Sequence, residues 1–158
     1  DLRSISSLFE NSCIRMRQKG VNVELYWSDR FEHMCVADMA LVTSGTATLE
    51  LSFYQVPMVI CYKVTKMTAM LAQVFTHLPE YIGLPNLLSN KQIVPEFIQN
   101  EATPENVSAA LLKVLEDPEE HNRVSDLLGD ALSKLGSQGA IGRINRLIIE
   151  ELDLPCHG

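Results

Sequence analysis

The chain has 158 residues, a formal net charge of −7 and a hydrophobic fraction of 46%, which suits a single domain with a core and excludes disorder over the whole chain. The acidic balance argues against a nucleic-acid partner, which requires clustered Lys and Arg. The longest uninterrupted apolar run, residues 56–62, falls far short of the ~20 residues that a transmembrane helix needs.

In the first half of the chain, the residue pattern alternates between helical spacing and strand-like alternation. Glycine is expected just past a helix end, and a proline often enters a strand at its first residue. The predicted elements are, in order, a helix over residues 2–16 ended by Gly20, a strand over 21–27, a short helix over 28–36, a strand over 39–42, a helix over 46–54 closed by Gln55, a strand over 58–62 and a helix over 65–75.

In the second half, three prolines interrupt residues 77–99, which predicts loops with a short helix or strand. Thr103-Pro104 and Asp117-Pro118 each combine an N-cap residue with a proline at the first helical position, and Glu120 is placed to close a capping box. The apolar faces of the three helices predicted here are Val107, Leu111 and Val114; Val124, Leu128, Ala131 and Leu135, ended by Gly136; and Ile141, Ile144 and Ile148 in a last helix over 139–152.

Strands that alternate with helices indicate a parallel sheet, so the sequence predicts an α/β fold with three or four short strands. The four cysteines, Cys13, Cys35, Cys61 and Cys156, form no C-x-x-C pair, and the four histidines are scattered. We therefore expect buried or incidental reduced thiols, and no metal site.

The stretch from residue 37 to 50 reads as a strand, a turn of small residues and a helix. A Gly-rich turn at a helix N-terminus exposes backbone N–H groups beside the positive end of the helix dipole, which suits a phosphate or diphosphate. Glu50 lies one turn into the helix, where a carboxylate can accept hydrogen bonds from sugar hydroxyls. The alternative is that these Ser, Thr and Gly residues simply cap the helix.

A second polar cluster contains Asn86, Glu96 and Gln99, whose amides and acids suit hydroxyl recognition. On spacing alone, ordinary turn chemistry of an Asn beside a Pro is the better explanation. Lys63 and Lys66 follow a predicted strand and could neutralise a phosphate, although a solvated lysine is the commoner case.

Four sequence blocks, in this order, resemble the donor-nucleotide half of the lipid-A-disaccharide synthase family. They are S-G-T-A-T-L-E over residues 44–50, P-M-V over 57–59 followed by Tyr62-Lys63, L-P-N-L-L over 84–88, and V-P-E-F-I-Q over 94–99. The resemblance runs from about Val21 to Leu152, and the first and third blocks together are quite specific.

The resemblance implies a partial C-terminal lobe of a GT-B glycosyltransferase, a fold with two Rossmann-like lobes and a cleft between them. Such enzymes move an acylated glucosamine with inversion from a UDP donor onto the acceptor lipid X, in lipid A biosynthesis. The UDP-diacylglucosamine donor is a substrate, and no metal or other cofactor is implied. On this basis residues 1–158 are one partial lobe, with a donor-site portion at 21–100 and C-terminal helices at 103–152.

The resemblance also implies roles for individual residues, carried over from the matching blocks. Asn86 matches a position that is important for activity, and Glu50 would bind the ribose. The UDP diphosphate would lie against Ser44, Gly45, Thr46, Ala47 and Thr48, and Glu96, Gln99 and Lys63 are donor-site candidates.

The family's first lobe, which holds acceptor recognition, membrane attachment and the candidate catalytic base, is not matched here, nor is an L-P-G-S-R segment. We therefore expect a partial UDP site in a chain that is inactive alone, with the base unidentified. Peripheral membrane association would come through the first lobe, and the isoleucine stripe predicts a homo-oligomer. The compartment would be the cytoplasmic face of the inner membrane for a bacterial protein, or the mitochondrion for a plant one.

Two alternatives stay open. One is another GT-B transferase that uses UDP-GlcNAc, such as the peptidoglycan N-acetylglucosaminyltransferase, which the L-P-N and P-E-x-x-Q blocks fit less well. The other is a non-catalytic interaction module derived from the family.

Overall fold

The computed structural model describes residues 2–26, 28, 30–63 and 80–136. The chain divides into two compact units, residues 1–33 and 34–158, and each is described by itself. The predicted helices over 65–75 and 139–152, the latter with its isoleucine stripe, lie outside the described residues. The predicted division into a donor-site portion and C-terminal helices stays a prediction.

The first unit contains helix α1 (Leu2–Gln18) and the start of α2 (Arg30–Met34). Helix α1 ends as predicted, because Gly20 adopts a φ of 82°. The N–H of Gly20 donates to the Arg17 carbonyl at 2.9 Å and that of Val21 to the Met16 carbonyl at 3.1 Å. These two bonds are those of a Schellman motif, which satisfies the last carbonyls of a helix.

The predicted strand over residues 21–27 is wrong for its described part, because residues 21–26 form no regular structure. Val21 and Tyr26 are more than half exposed, so the alternation of apolar and polar residues in this segment does not correspond to one buried and one exposed face. The Arg17 guanidinium instead holds this segment to α1, donating from Nε to the Val23 carbonyl at 3.0 Å. A strand needs a neighbouring ladder, and the described sheet does not include these residues.

The second unit is built on a parallel sheet, whose three described strands follow the order β1 (Ala40–Val42), β2 (Met58–Tyr62), β3 (Glu96–Ile98). Val42 pairs with Ile60, and Ile60 pairs with Glu96 on the other side. Met58, Val59 and Ile60 are completely buried, as expected for a central strand covered on both faces. The predicted α/β, Rossmann-like fold is confirmed.

Helices α3 (Thr46–Phe53), α4 (Leu84–Ser89), α5 (Pro104–Glu116) and α6 (Pro118–Ser133) surround the sheet, and a 3-10 turn, Gln99–Glu101, follows β3. Gln55 closes α3 as predicted, with a φ of 55°. Its N–H donates to the Ser52 carbonyl, and the next N–H, of Val56, reaches back to Leu51. This is a second Schellman motif, here without glycine.

The predicted caps of α5 and α6 are confirmed, but the capping box is wrong. The Thr103 hydroxyl accepts from the Asn106 N–H, and the Asp117 carboxylate accepts from the N–H groups of Glu119 and Glu120. The Glu120 side chain does not return to the cap, because Arg123 one turn later binds both of its oxygens, at 2.6 and 2.8 Å. A bidentate guanidinium contact is stronger than one backbone bond.

The core is formed by buried residues of α3, β2 and α6, together with Val56 and residues 93–94. Val124, Leu128 and Ala131 are buried as predicted, whereas Leu135 is 50% exposed because α6 ends at Ser133. The buried cluster consists of Leu51, Val56, Met58, Ile60, Ile93, Val94, Val124, Leu128 and Ala131.

Three of the cysteines lie in the described part of the chain; none of these three forms a disulfide, and Cys13 is buried. Among the described residues, no group of His, Cys, Asp and Glu could hold a metal ion. No described helix is long and apolar enough to cross a membrane.

Candidate functional site

Three chain segments leave the sheet at one edge. Because all strands are parallel, the turn 43–45 after β1, Lys63 after β2 and Gln99 after β3 lie at the same, carboxyl edge. Open α/β sheets bind ligands at this edge. The structure thus brings the S-G-T block to the same edge as two of the other predicted site residues.

Gly45 has a backbone conformation that other residues avoid, with φ 154° and ψ −166°. This region of backbone space is essentially restricted to glycine. A Cβ built on Gly45 would meet no atom within 4 Å, so the backbone at this turn borders open space. The glycine is therefore needed for its backbone angles, and a ligand can approach the peptide groups closely.

The amino end of α3 presents its backbone to that open space. Gly45 is the N-cap residue and has no side chain to cap the helix. Thr46 and Ala47 contribute the first two N–H groups of the helix, and Thr46 is exposed. An eight-residue helix that begins with uncapped N–H groups attracts an anion through these donors and through the positive end of its dipole.

Thr48 acts inside this turn and not at its surface. Its side chain is completely buried, and its hydroxyl donates to the Gly45 carbonyl at 2.7 Å. Its own N–H donates to the same carbonyl at 3.1 Å. Thr48 therefore fixes the carbonyl of Gly45 through two hydrogen bonds from inside the protein. Glu50, two residues after Thr48, is half-buried and lies on the same helix face as Thr46.

Ser44 ties the turn to a distant segment. Its hydroxyl donates to the Ile82 carbonyl at 2.8 Å, across 38 residues of sequence. Ile82 immediately precedes Gly83, the N-cap residue of α4. One hydrogen bond thereby joins the S-G-T block to the segment that leads into the L-P-N block.

Glu96, at the start of β3, holds the same segment from the other side. Its Oε2 accepts from the Ile82 N–H at 2.8 Å, and its Oε1 accepts from the Gly83 N–H at 2.9 Å. The Oε1 atom also accepts from Nδ2 of Asn86 at 2.7 Å. Three donors thus converge on one partly buried carboxylate.

Asn86 is completely buried and uses its side chain entirely within the protein. Its Nδ2 donates to the Val94 carbonyl at 2.8 Å as well as to Glu96, and its Oδ1 accepts from the N–H groups of Ile93 and Val94 at 2.7 and 3.0 Å. A primary amide offers two donors and two acceptor lone pairs, and all are used. Asn86 joins α4 to the segment that enters β3.

Gly83 belongs to this site, and the sequence reasoning missed it. A Cβ at Gly83 would lie 2.2 Å from Cδ1 of Ile60 and 2.8 Å from Oε1 of Glu96. Its φ of −80° is ordinary, so glycine is required here for space and not for backbone angles. The available signal was a glycine directly before the L-P-N block.

The segment before Gly83 also contains a tyrosine, Tyr81, whose pKa is raised. The Tyr81 hydroxyl donates to Oε1 of Glu80 at 2.9 Å. This hydrogen bond raises the pKa of Tyr81 above its ordinary value, with smaller contributions from desolvation and the Glu80 charge. Tyr81 therefore stays a neutral hydroxyl in the physiological range.

The predicted site residues fall into two groups by position. Residues that brace the site from inside are Thr48, Asn86 and Glu96. Residues at or near the carboxyl edge are Ser44, Gly45, Thr46, Ala47, Glu50, Lys63 and Gln99, of which Lys63 is exposed and Gln99 has a φ of 54°.

The sequence matches the lipid-A-disaccharide synthetase family model over residues 2–140. The match includes α1, so the expectation that the resemblance starts near Val21 is wrong at its amino end. Relatives called lipid-A-disaccharide synthase occur in Dechloromonas aromatica (40% identical over 138 residues, 87% of this chain and 36% of the relative) and Aromatoleum aromaticum (34% over 151 residues, 96% and 38%). Another, from Cupriavidus pinatubonensis, is 49% identical over 84 residues, 53% of this chain and 21% of the relative.

The chain therefore spans little more than a third of the length of the relatives from Dechloromonas aromatica and Aromatoleum aromaticum. The family match covers the turn at 43–45, Glu96 and Asn86, the residues that build the edge and its bracing network. With most of its length matched, the chain belongs to the lipid-A-disaccharide synthetase family.

Proposed function

We propose that the chain forms the UDP-sugar donor site of a lipid-A-disaccharide synthase, which transfers an acylated glucosamine from a UDP donor to lipid X. Family membership supports the reaction, and the geometry supports the location of the donor. The observation that carries the proposal is Gly45, whose glycine-only conformation opens the amino end of α3 at the carboxyl edge of a parallel sheet.

In this proposal, the diphosphate lies against Gly45 and the N–H groups of Thr46 and Ala47, with the exposed Thr46 hydroxyl as a further donor. Glu50 accepts hydrogen bonds from the ribose hydroxyls, one turn along α3. Lys63 adds positive charge from the end of β2. Gln99 follows β3 at the same edge and is a further donor-site candidate.

We further propose that these 158 residues bind the nucleotide without transferring the sugar, because they align with only part of each relative. The acceptor site, the base that deprotonates the acceptor hydroxyl, and attachment to the membrane would then come from the rest of the enzyme. Homo-oligomer formation and the cytoplasmic face of the inner membrane as location are proposals of the same kind.

The test is isothermal titration of the chain with UDP, together with the Glu50→Gln variant. We expect UDP to bind, and the variant to bind about tenfold more weakly, since a charge-assisted hydrogen bond becomes a neutral one. Glu116→Gln makes the same change at an exposed position on α5 and should leave affinity unchanged. No binding of UDP by the unaltered chain would contradict the proposal.

A further inference from the structure

The turn 43–45 has a tie to a segment far away in sequence. The Ser44 hydroxyl donates its single hydrogen to the carbonyl of Ile82, at 2.8 Å. The position of Ser44, and hence of the peptide that leads into Gly45, depends on where the Ile82 carbonyl lies.

The Ile82 carbonyl belongs to a rigid group. The C=O of Ile82 and the N–H of Gly83 form one peptide unit, and such a unit is planar. Ser44 binds the oxygen of this plane, and Oε1 of Glu96 accepts from its N–H at 2.9 Å. Glu96 also holds the preceding N–H, of Ile82, through Oε2 at 2.8 Å. A displacement of the carboxylate therefore moves the group that Ser44 binds.

The carboxylate itself is firmly placed. Nδ2 of Asn86 donates to Oε1 at 2.7 Å, and Asn86 is completely buried with its other hydrogen bonds made to the backbone of residues 93–94. A Cβ on Gly83 would come within 2.8 Å of the same oxygen, so the absence of a side chain there allows the close approach. The connection runs from Asn86 through Glu96 and one peptide to Ser44.

We propose that Glu96 is a positioning residue for the diphosphate turn, acting through the Ile82–Gly83 peptide and Ser44. The inference rests on the proposed function and adds how the L-P-N and P-E-x-x-Q blocks serve it. Glu96 holds the shape of the turn, and its own oxygens are occupied by three protein donors. Uridine lacks the diphosphate, so its binding does not depend on this turn.

The experiment compares dissociation constants for UDP and for uridine, by NMR titration of the chain. Glu96→Gln keeps the shape but replaces one oxygen by an NH₂ group that faces an N–H donor. We expect UDP to bind about tenfold more weakly, the equivalent of one charge-assisted hydrogen bond, with uridine changed less than about twofold. Ser44→Ala should show the same selective loss, and the double variant should lose no more than Glu96→Gln alone.

Each result decides the matter. Equal losses for UDP and uridine would mean a merely structural role and overturn the inference, as would unchanged UDP binding in Glu96→Gln. Losses that add in the double variant would overturn the route through Ser44. If Glu96→Gln does not fold, Ser44→Ala alone must weaken UDP but not uridine. Absence of UDP binding by the unaltered chain would instead refute the proposed function, while Glu116→Gln serves as the control for charge.

Discussion

Asn86 is the residue whose replacement the structure predicts most sharply. Asn86→Asp keeps the shape of the side chain and preserves Oδ1, the acceptor for two backbone N–H groups. It replaces Nδ2 by an oxygen that would lie 2.7 Å from Oε1 of Glu96 and 2.8 Å from the Val94 carbonyl oxygen. Two attractive contacts thus become two contacts between oxygens, at a completely buried position.

The cost has an upper bound set by protonation. A buried carboxyl next to a second carboxylate takes a proton when ionisation is too costly, and holding a group of ordinary pKa about 3.9 protonated at pH 7 costs about 4 kcal/mol. The protonated acid donates to only one of the two acceptors that Nδ2 serves, which costs about 1 kcal/mol more. We therefore expect the free energy of unfolding to fall by about 3 to 5 kcal/mol at pH 7.

The pH dependence follows from the direction of the shift. Burial and the neighbouring Glu96 raise the pKa of the new carboxyl in the folded state above its unfolded value. Relative to the unaltered chain, the Asn86→Asp variant is therefore most stable below the unfolded-state pKa of the new carboxyl. It loses stability as pH rises through the folded-state pKa of that carboxyl. Near pH 4, the deficit should shrink to about 1 kcal/mol, the missing hydrogen bond alone.

Urea unfolding followed by far-UV circular dichroism, at pH 7 and near pH 4, measures both quantities. Asn122→Asp is the matched control, because it makes the same change at an exposed position on α6. A loss below about 1 kcal/mol at pH 7, or a deficit that grows on acidification, would refute the reasoning.

Three further predictions concern backbone angles, space and charge. Gly45→Ala should reduce the free energy of unfolding by about 1–3 kcal/mol through backbone strain alone, since its Cβ has room; unchanged urea unfolding would contradict this. Gly83→Ala should reduce the free energy of unfolding by about 1–3 kcal/mol, because the new Cβ would overlap Cδ1 of Ile60. Ile60→Val removes that methyl group, so the double variant should recover part of the lost stability. Strictly additive losses would argue against the overlap. The hydrogen bonds from Arg123 lower the pKa of Glu120, so Arg123→Ala should raise the Glu120 titration midpoint measured by NMR. The effect of Arg123→Ala on the free energy of unfolding should vanish as pH falls through the pKa of Glu120 in the folded state. An unmoved midpoint would exclude the pairing.

Local chemistry made several elements predictable. The strand Met58–Tyr62 is observed with its predicted bounds, since an apolar run enters through Pro57 and ends before Lys63. The caps at Thr103 and Asp117 are observed because each bond joins residues two or three apart.

Predictions failed where a competing contact or a missing neighbour decided the outcome. Glu120 binds Arg123 and not its own cap, although both partners lie within one turn. Alternation over residues 21–26 does not produce a strand, since pairing depends on a neighbouring strand and not on the segment itself.

For the site, the sequence alone determined the local devices: a glycine at position 45, the helix that starts at Thr46, and a polar residue after each described strand. These depend on backbone angles and hydrogen bonds over a few residues. Only the tertiary structure decided that Ser44 meets Ile82 and that Glu96 meets Ile82, Gly83 and Asn86. Those contacts join segments up to 38 residues apart. They form because β3 pairs with β2 and Gly83 lies against Ile60, which partly shields these donors and acceptors from water.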